Sequence, residues 1–256
     1  MKKSEVKKSY LHTVFEYETV DSTNNVARSY VTECKTPPPV PAIFIADMQT
    51  SGRGRMGRNF YSPSGTGLYM SILIEAPDST DRLISLTSLC AVAAFEALSC
   101  QFGIRTKIKW VNDLYIGQKK IAGILAESFE AFGKRYIVVG VGINLSTRDF
   151  PVELRDKAGS VELDGITHKD RLRLALDISE NLLVYMQADD ISHIMDIYRN
   201  NSCVIGKRIT FVRNGKPENA LAVGVSDLGA LTVMLDSGEL QELSTGEISI
   251  RITEHI

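Results

Sequence analysis

Apolar positions recur along this chain with two periods, near two and near 3.6 residues, and the switches between them outline its elements. Tyr17 to Val20 is a short β-prone run that stops at Asp21-Ser22-Thr23-Asn24-Asn25. A helix follows to about Val31, with Ser22 or Thr23 as its N-cap. Pro37-Pro38-Pro39-Val40-Pro41 is a stiff connector that neither a helix nor a central strand accommodates. Ala42 to Ala46 and Gly67 to Glu75 predict strands. Between them, Gln49 to Arg58 is too rich in glycine and charge for regular structure. From Leu83, small or apolar residues at 86, 90, 93/94 and 97 trace one buried helix face, and Gly103 stops it.

The stretch from Ile104 to Leu145 predicts a meander. Ile104, Thr106, Ile108 and Trp110 alternate with Arg105, Lys107 and Lys109, the pattern of a strand with one wet face. Asn112-Asp113 and Gly117-Gln118-Lys119-Lys120 are turn chemistry, and Ile121–Glu127 and Tyr136–Leu145 are strands joined across Phe132-Gly133-Lys134. Thr167-x-x-Asp170 has the form of a capping box, with Leu172, Leu176, Leu183 and Met186 as the apolar stripe of the helix it opens. A shorter helix is expected from Asp190 to about Asn200. After Gly206 five short alternating runs lie between Asn214-Gly215, Asp227-Leu228-Gly229, Asp236-Ser237-Gly238 and Thr245-Gly246. That spacing predicts a small SH3-like β-barrel of roughly fifty residues. The domains are therefore expected at 1–203 and 204–256.

Composition narrows the function classes. At 44% hydrophobic and 23% charged, the chain has enough apolar residues for a core, which excludes a disordered tail protein. Its net charge of −2 leaves no global basic field to attract nucleic acid. The longest apolar-rich stretch, Leu83 to Leu98, is interrupted by Ser85, Thr87, Ser88 and Glu96, so no membrane span is expected. Met1-Lys2-Lys3 is followed by Glu5, Lys7 and Lys8 instead of an apolar segment; this predicts no secretion signal and a cytoplasmic protein. Cys34, Cys90, Cys100 and Cys203 form no CxxC pair, and each is expected to be a buried reduced thiol with no structural zinc.

Three clusters carry candidate chemistry. Gly52-Arg53-Gly54-Arg55-Met56-Gly57 matches GxGxxG in form, but it opens no helix, so it is no dinucleotide fingerprint. Its glycines free backbone N–H groups and its arginines supply fork donors for a carboxylate or phosphate. A solvated surface loop and an RGG-like RNA segment are the competing readings, and the acidic balance argues against the latter. Lys109-Trp110-Val111-Asn112-Asp113 and Lys119-Lys120-Ile121-Ala122-Gly123 put basic turns into the same sheet-rich region. Val139-Gly140-Val141-Gly142-Ile143-Asn144 places glycines inside a strand, where a bulge or a close approach to the backbone is expected.

In this order these motifs resemble the biotin protein ligases: Asp21-Ser22-Thr23-Asn24, Gln49 with Gly52-Arg53-Gly54-Arg55-x-Gly57-Arg58, Lys109-Trp110-x-Asn112-Asp113, Lys120-x-Ala122-Gly123-Ile124-Leu125 and Gly140-x-Gly142-Ile143-Asn144. The C-terminal run ending in Gly246-Glu247-Ile248-Ser249 is similar to that family too. Regulatory members carry a helix-turn-helix domain before the Ser-Thr-Asn motif, and only about twenty residues precede it here. The short form is therefore expected, with no DNA as partner. Phe60 stands where some members have tryptophan.

The resemblance implies an α+β fold, a mixed sheet with flanking helices plus the SH3-like barrel, and an ATP-dependent ligase forming a carbon–nitrogen bond. ATP and biotin are its substrates, with Mg2+ on the phosphates and no dedicated metal ligands. The acceptor is a lysine of a biotin carboxyl carrier protein or domain; no membrane is involved, and a homodimer is compatible. Ser22, Thr23, Asn24, Gln49, Arg53, Gly54, Arg55, Lys120, Gly123, Gly140 and Gly142 are implied around biotin, the glycines letting its bicycle and valeryl chain lie close to the sheet. Arg53, Arg55, Arg58, Phe60, Lys109, Asn112 and Asn144 are implied around ATP. Lys120 and Arg55 act on the reacting groups. Asp113 orients or deprotonates the acceptor amine, or alternatively caps its own turn. A lipoate or octanoate ligase or transferase of related fold is the nearest alternative.

Overall fold

The computed structural model describes residues 13–213, 216–244 and 250–252. The first sheet is built from β1 (Thr13–Val20), β2 (Ala42–Gln49), β3 (Gly67–Glu75), β4 (Lys107–Lys109), β5 (Asp113–Ile116), β6 (Lys119–Ala131) and β7 (Lys134–Asn144). Its strand order is β1-β2-β3-β7-β6-β5-β4. Only β1 and β2 pair in parallel, and the crossover between them is α1 (Thr23–Thr32). Ser22 is the N-cap of α1, its side chain accepting from the Asn24 N–H.

Strand alternation divides the sheet into two unlike faces. Ile45, Met70, Val141 and Ile124 lie in register across four strands and are buried against α2 (Thr80–Phe102) and α3 (His168–Gln187). The opposite face carries Phe44, Ser71, Gly140 and Leu125 in register, and α1 covers only part of it through Ala27 and Val31. The uncovered remainder is where polar residues and glycines collect.

Several expectations need correction. By length and composition α2 is apolar enough to cross a membrane, contrary to the expectation drawn from its serines. Ser85 and Ser88 are themselves fully buried, and the helix sits in the protein core. The strand expected from Ile104 to Trp110 keeps its alternation of burial, but only Lys107–Lys109 pairs, because its neighbour β5 offers four residues. Asp113 opens β5 instead of closing a turn. In α3 the capping box of Thr167 and Asp170 forms, while the buried stripe runs through Leu174, Ala175, Ile178, Leu182 and Leu183; Leu172, Leu176 and Met186 flank it. Of the cysteines, Cys90 is buried, with its thiol pushed up to about 12 by desolvation, but Cys34, just beyond α1, and Cys100, near the end of α2, are exposed.

Beyond α4 (Ser192–Asn200), β8 (Arg208–Arg213), β9 (Lys216–Val225), β10 (Leu231–Leu235), β11 (Leu240–Leu243) and β12 (Ile250–Ile252) form an antiparallel sheet ordered β11-β10-β9-β8-β12. The expected turns at Asn214-Gly215 and Thr245-Gly246, and the segment Gly246–Ser249, lie outside the described residues. The turn at Asp227-Leu228-Gly229 is present, with Gly229 at a φ of 82°. The carbonyl of Gly229 accepts the Trp110 indole N–H at 2.9 Å, and Trp110 is only 5% exposed. Trp110→Phe leaves that carbonyl without its donor, at a cost of about 1–2 kcal/mol, so the thermal midpoint is expected to fall by about 2–6 °C. An unchanged midpoint in a calorimetric scan would remove this bond from the account of stability.

Candidate functional site

Three glycines clear the uncovered face. Gly123 pairs with Gly142, and Gly140 pairs with Leu125 on one side and Ser71 on the other. What comes close to the backbone at each is one of the chain's own side chains. A Cβ on Gly123 would stand 2.9 Å from Lys120 Nζ, and one on Gly142 would stand 2.6 Å from the Phe60 ring. A Cβ on Gly140 would overlap Asn24 Oδ1. In the structure these three glycines seat Lys120, Phe60 and Asn24.

Lys120 stands at the start of β6, where its backbone bonds the segment 157–159: its N–H donates to the Lys157 carbonyl, and its carbonyl accepts from the Gly159 N–H. Its ammonium lies 2.6 Å from Asp113 Oδ1, both side chains being part-exposed. Asp113 is therefore a partner of Lys120 in the first place. Lys109 lies in register with Asp113, and its Nζ sits 5.2 Å from the centroid of the Tyr115 ring. Asn112 is buried and pinned to β6: its Nδ2 donates to the Ile124 carbonyl, and its own carbonyl accepts the Ile124 N–H. That leaves Asn112 Oδ1 to accept from Arg55 Nη1 at 3.2 Å.

The arginine loop is a strap. Gln49 pairs with Ser62 and Arg53 with Asn59, while Arg55–Gly57 make a single 3-10 turn with Met56 at a φ of 57°. Gly52 is obligatory, because a Cβ there would run into the Phe60 carbonyl and Ser62 Oγ. Arg58 is exposed. Burial lowers the Arg55 pKa, Asp113 raises it and Arg58 lowers it. A guanidinium nonetheless stays charged, so the site keeps a fixed cation there. Beneath the strap is a cleft of about 400 Å3 bounded by Asn25, Arg53, Gly54, Arg55, Leu125 and Glu127, among others.

At the far side of the face, polar groups bind one another in series. The backbone N–H and Oγ1 of Thr23 both reach Gln49 Oε1, at 2.9 and 3.2 Å. Gln49 Nε2 donates to Ser62 Oγ at 2.9 Å. Ser71 Oγ lies 2.6 Å from Asn24 Oδ1 and 2.8 Å from Thr23 Oγ1. Ser62, Ser71 and Glu127 were not expected from the sequence. The period-two row Gly123, Leu125, Glu127 and the lone serine among the apolar residues of β3 were the available signals. Asn144 is buried; its Nδ2 donates to the Gly159 carbonyl at 3.0 Å, and its Oδ1 has no partner among the described residues. It lies two residues from Gly142 on the same face of β7, and Phe60 packs over Gly142.

The family model described as the biotin/lipoate A/B protein ligase family matches residues 17–144, half of the chain and the whole of the face just described. The chain belongs to that family. A second model, the biotin protein ligase C-terminal domain, matches residues 204–251 of this family member. A biotin protein ligase of Aquifex aeolicus, solved with biotin and ATP, is similar over 94% of this chain and 99% of its own, with a TM-score of 0.79 and 27% identity. The bifunctional ligase/repressor BirA of Bacillus spizizenii is 40% identical over 126 residues, 48% of this chain, and the match spans only 39% of that relative's length. The biotin–[acetyl-CoA-carboxylase] ligase of Mycobacterium tuberculosis is 28% identical over 78% of this chain and 79% of its own.

Proposed function

We propose that this chain activates biotin with ATP to biotinyl-5′-AMP and pyrophosphate, then transfers the biotinyl group to a lysine of a biotin carboxyl carrier protein. The observation that carries this reading is the pairing of a glycine-seated Lys120 ammonium with an Asn112-anchored Arg55 on the same open sheet face as a buried polar network.

The chemistry needs such a site. A carboxylate will not acylate an amine in water, because the group leaving would be an oxide. Attack of the biotin carboxylate oxygen on the α-phosphorus expels pyrophosphate and leaves AMP as the later leaving group. Two anions must meet for this, and fixed cations offset the repulsion and stabilise the charge that develops. In our reading Lys120 bridges the carboxylate and α-phosphate, Arg55 and the Gly54 backbone close over them, and Arg53, Arg58 and Lys109 add positive potential. The ureido head offers two N–H donors and one carbonyl, which short hydroxyls and an amide satisfy best when buried. Ser22, Thr23, Asn24 and Gln49 supply those groups. The unpartnered Asn144 Oδ1 suits the exocyclic amine of adenine, with Phe60 as the neighbouring ring.

Among the described residues no cluster of His, Cys, Asp or Glu could hold a metal ion, and Asp113 and Glu127 at the site are committed to Lys120 and Arg53. In our reading Mg2+ enters as part of the MgATP substrate. In the second step the acceptor lysine attacks the acyl carbon, AMP departs and a proton is released. Asp113, while paired with Lys120, is the carboxylate placed to orient that amine. The reading further places the catalytic unit at 1–203, the C-terminal unit at 204–256 and the enzyme in the cytoplasm.

Pyrophosphate release from ATP, compared with biotin, lipoate and octanoate as the acid, tests the assignment. Turnover with biotin at least tenfold above the other two is expected. Release with lipoate or octanoate alone would transfer the chain to the other branch of its family.

A further inference from the structure

Glu127 has no part in the chemistry above, yet it is the carboxylate on which the arginine strap and the polar network converge. It lies on β6 on the glycine face and is half-buried at the edge of the cleft. Its two oxygens are divided between two elements. Oε1 meets Arg53 Nη2 of the strap at 2.8 Å, and Oε2 accepts from Asn24 Nδ2 of α1 at 2.8 Å. Arg53 is held in addition by Asn25 Oδ1 at 2.9 Å through its other terminal nitrogen.

This division has a consequence for the pocket. A carboxylate accepts and never donates, so Glu127 dictates which end of the Asn24 amide faces it. With Nδ2 committed to Glu127, Oδ1 must face Ser71, whose hydroxyl proton is drawn to it. Ser71 has one proton, so at the 2.8 Å contact between the two hydroxyls Thr23 Oγ1 donates to Ser71 Oγ, and Gln49 Oε1 accepts the Thr23 N–H. One carboxylate thus sets the direction of hydrogen bonding along Asn24, Ser71 and Thr23, while its second oxygen holds down the strap. Gly140 is the geometric condition for it, because any Cβ there would displace the Asn24 amide.

We propose that Glu127 is a positioning residue that couples the strap to the head-group network, so that seating Arg53 and orienting Asn24 become one event. The proposal deepens the biotin-ligase reading and rests on it for the identity of the head group. Arg53 then acts chiefly as the strap's tether, and the strap is held on the sheet before any ligand binds.

The test uses the full chain and Glu127→Gln, which keeps the shape but replaces an acceptor oxygen by a donor, so the Asn24 amide is free to reverse. First, trypsin cleavage after Arg55 and Arg58 is timed in the ligand-free protein. A rise of about fivefold over wild type is expected, the size of one part-exposed charged contact. Second, the KM for biotin is expected to rise about tenfold while the KM for ATP stays within twofold. Third, Arg53→Gln is combined with it; the double variant should lose less biotin affinity than the two single losses multiplied together. Glu127→Asp, which retains the acceptor character, should recover part of the biotin affinity. Unchanged cleavage of ligand-free Glu127→Gln, equal rises in both KM values, or strictly multiplicative losses would each overturn the coupling. The cleavage arm contains no biotin, so it judges the tether even if the substrate proves to be another acid. Absence of biotin binding by wild type would sink the substrate reading instead.

Discussion

Lys120→Gln is expected to lower the rate of biotinyl-adenylate formation by two to three orders of magnitude and to leave the protein folded. The rate loss follows from position. The ammonium lies over Gly123, on the face where in our reading the carboxylate and α-phosphate meet, and Asp113 holds it there at 2.6 Å. Removing one preorganised donor from developing charge typically costs about 2.7–4 kcal/mol in the barrier. Stability should hardly change, because both partners of the ion pair are part-exposed, and such pairs contribute at most about 1 kcal/mol. The backbone bonds of Lys120 to the 157–159 segment survive substitution. Pyrophosphate release by the purified variant, with circular dichroism for the fold, decides the matter. Release at the wild-type rate would strip Lys120 of its role.

Arg55→Gly should have the second-largest effect, and of a different kind. The guanidinium reaches from the strap to Asn112, which is itself anchored to β6. Losing a charge-assisted contact costs about 1.5–3 kcal/mol, or roughly a ten- to hundredfold faster escape of the adenylate if the whole loss falls on the dissociation rate. A further glycine between Gly54 and Gly57 also widens the backbone freedom of the strap, so holding it in place costs more. The variant is expected to go on making adenylate but to let it go, and free adenylate acylates exposed lysines at random. Enzyme, ATP, biotin and albumin are mixed and blotted for biotin. If adenylate forms at a measurable rate and albumin is labelled no more than with wild type, Arg55 is no part of a retaining lid.

How much of this was legible in the sequence depended on the range of the interaction involved. Local chemistry read well. Ser22 is an N-cap because a short hydroxyl precedes a helical stretch, Thr167 and Asp170 close a capping box, and Gly103 ends α2 in the left-handed region. The glycines of β6 and β7 announced a close approach, but not what approaches, since Asn24 and Phe60 come from elements far away in the chain. Glu127 went unnoticed for the same reason. Its partners, Arg53 and Asn24, are set by sheet order, and strand pairing is not inscribed in any one strand. The buried stripe of α3 was misplaced because two adjacent stripes of the helix are apolar, and only the position of α2 selects between them.

The two sheets separate cleanly along the chain, and yet they do not separate in packing. Ile209, Phe211, Ala222 and Val233 of the second sheet belong to the same continuous buried cluster as Leu89 of α2 and Ile108 of β4, with Trp110 among them. The second sheet is in that sense a wall of the same core and not a module attached to it. Exchange of that segment with a relative would have to carry matching side chains on both sides of the seam, which restricts how such ligases can be recombined.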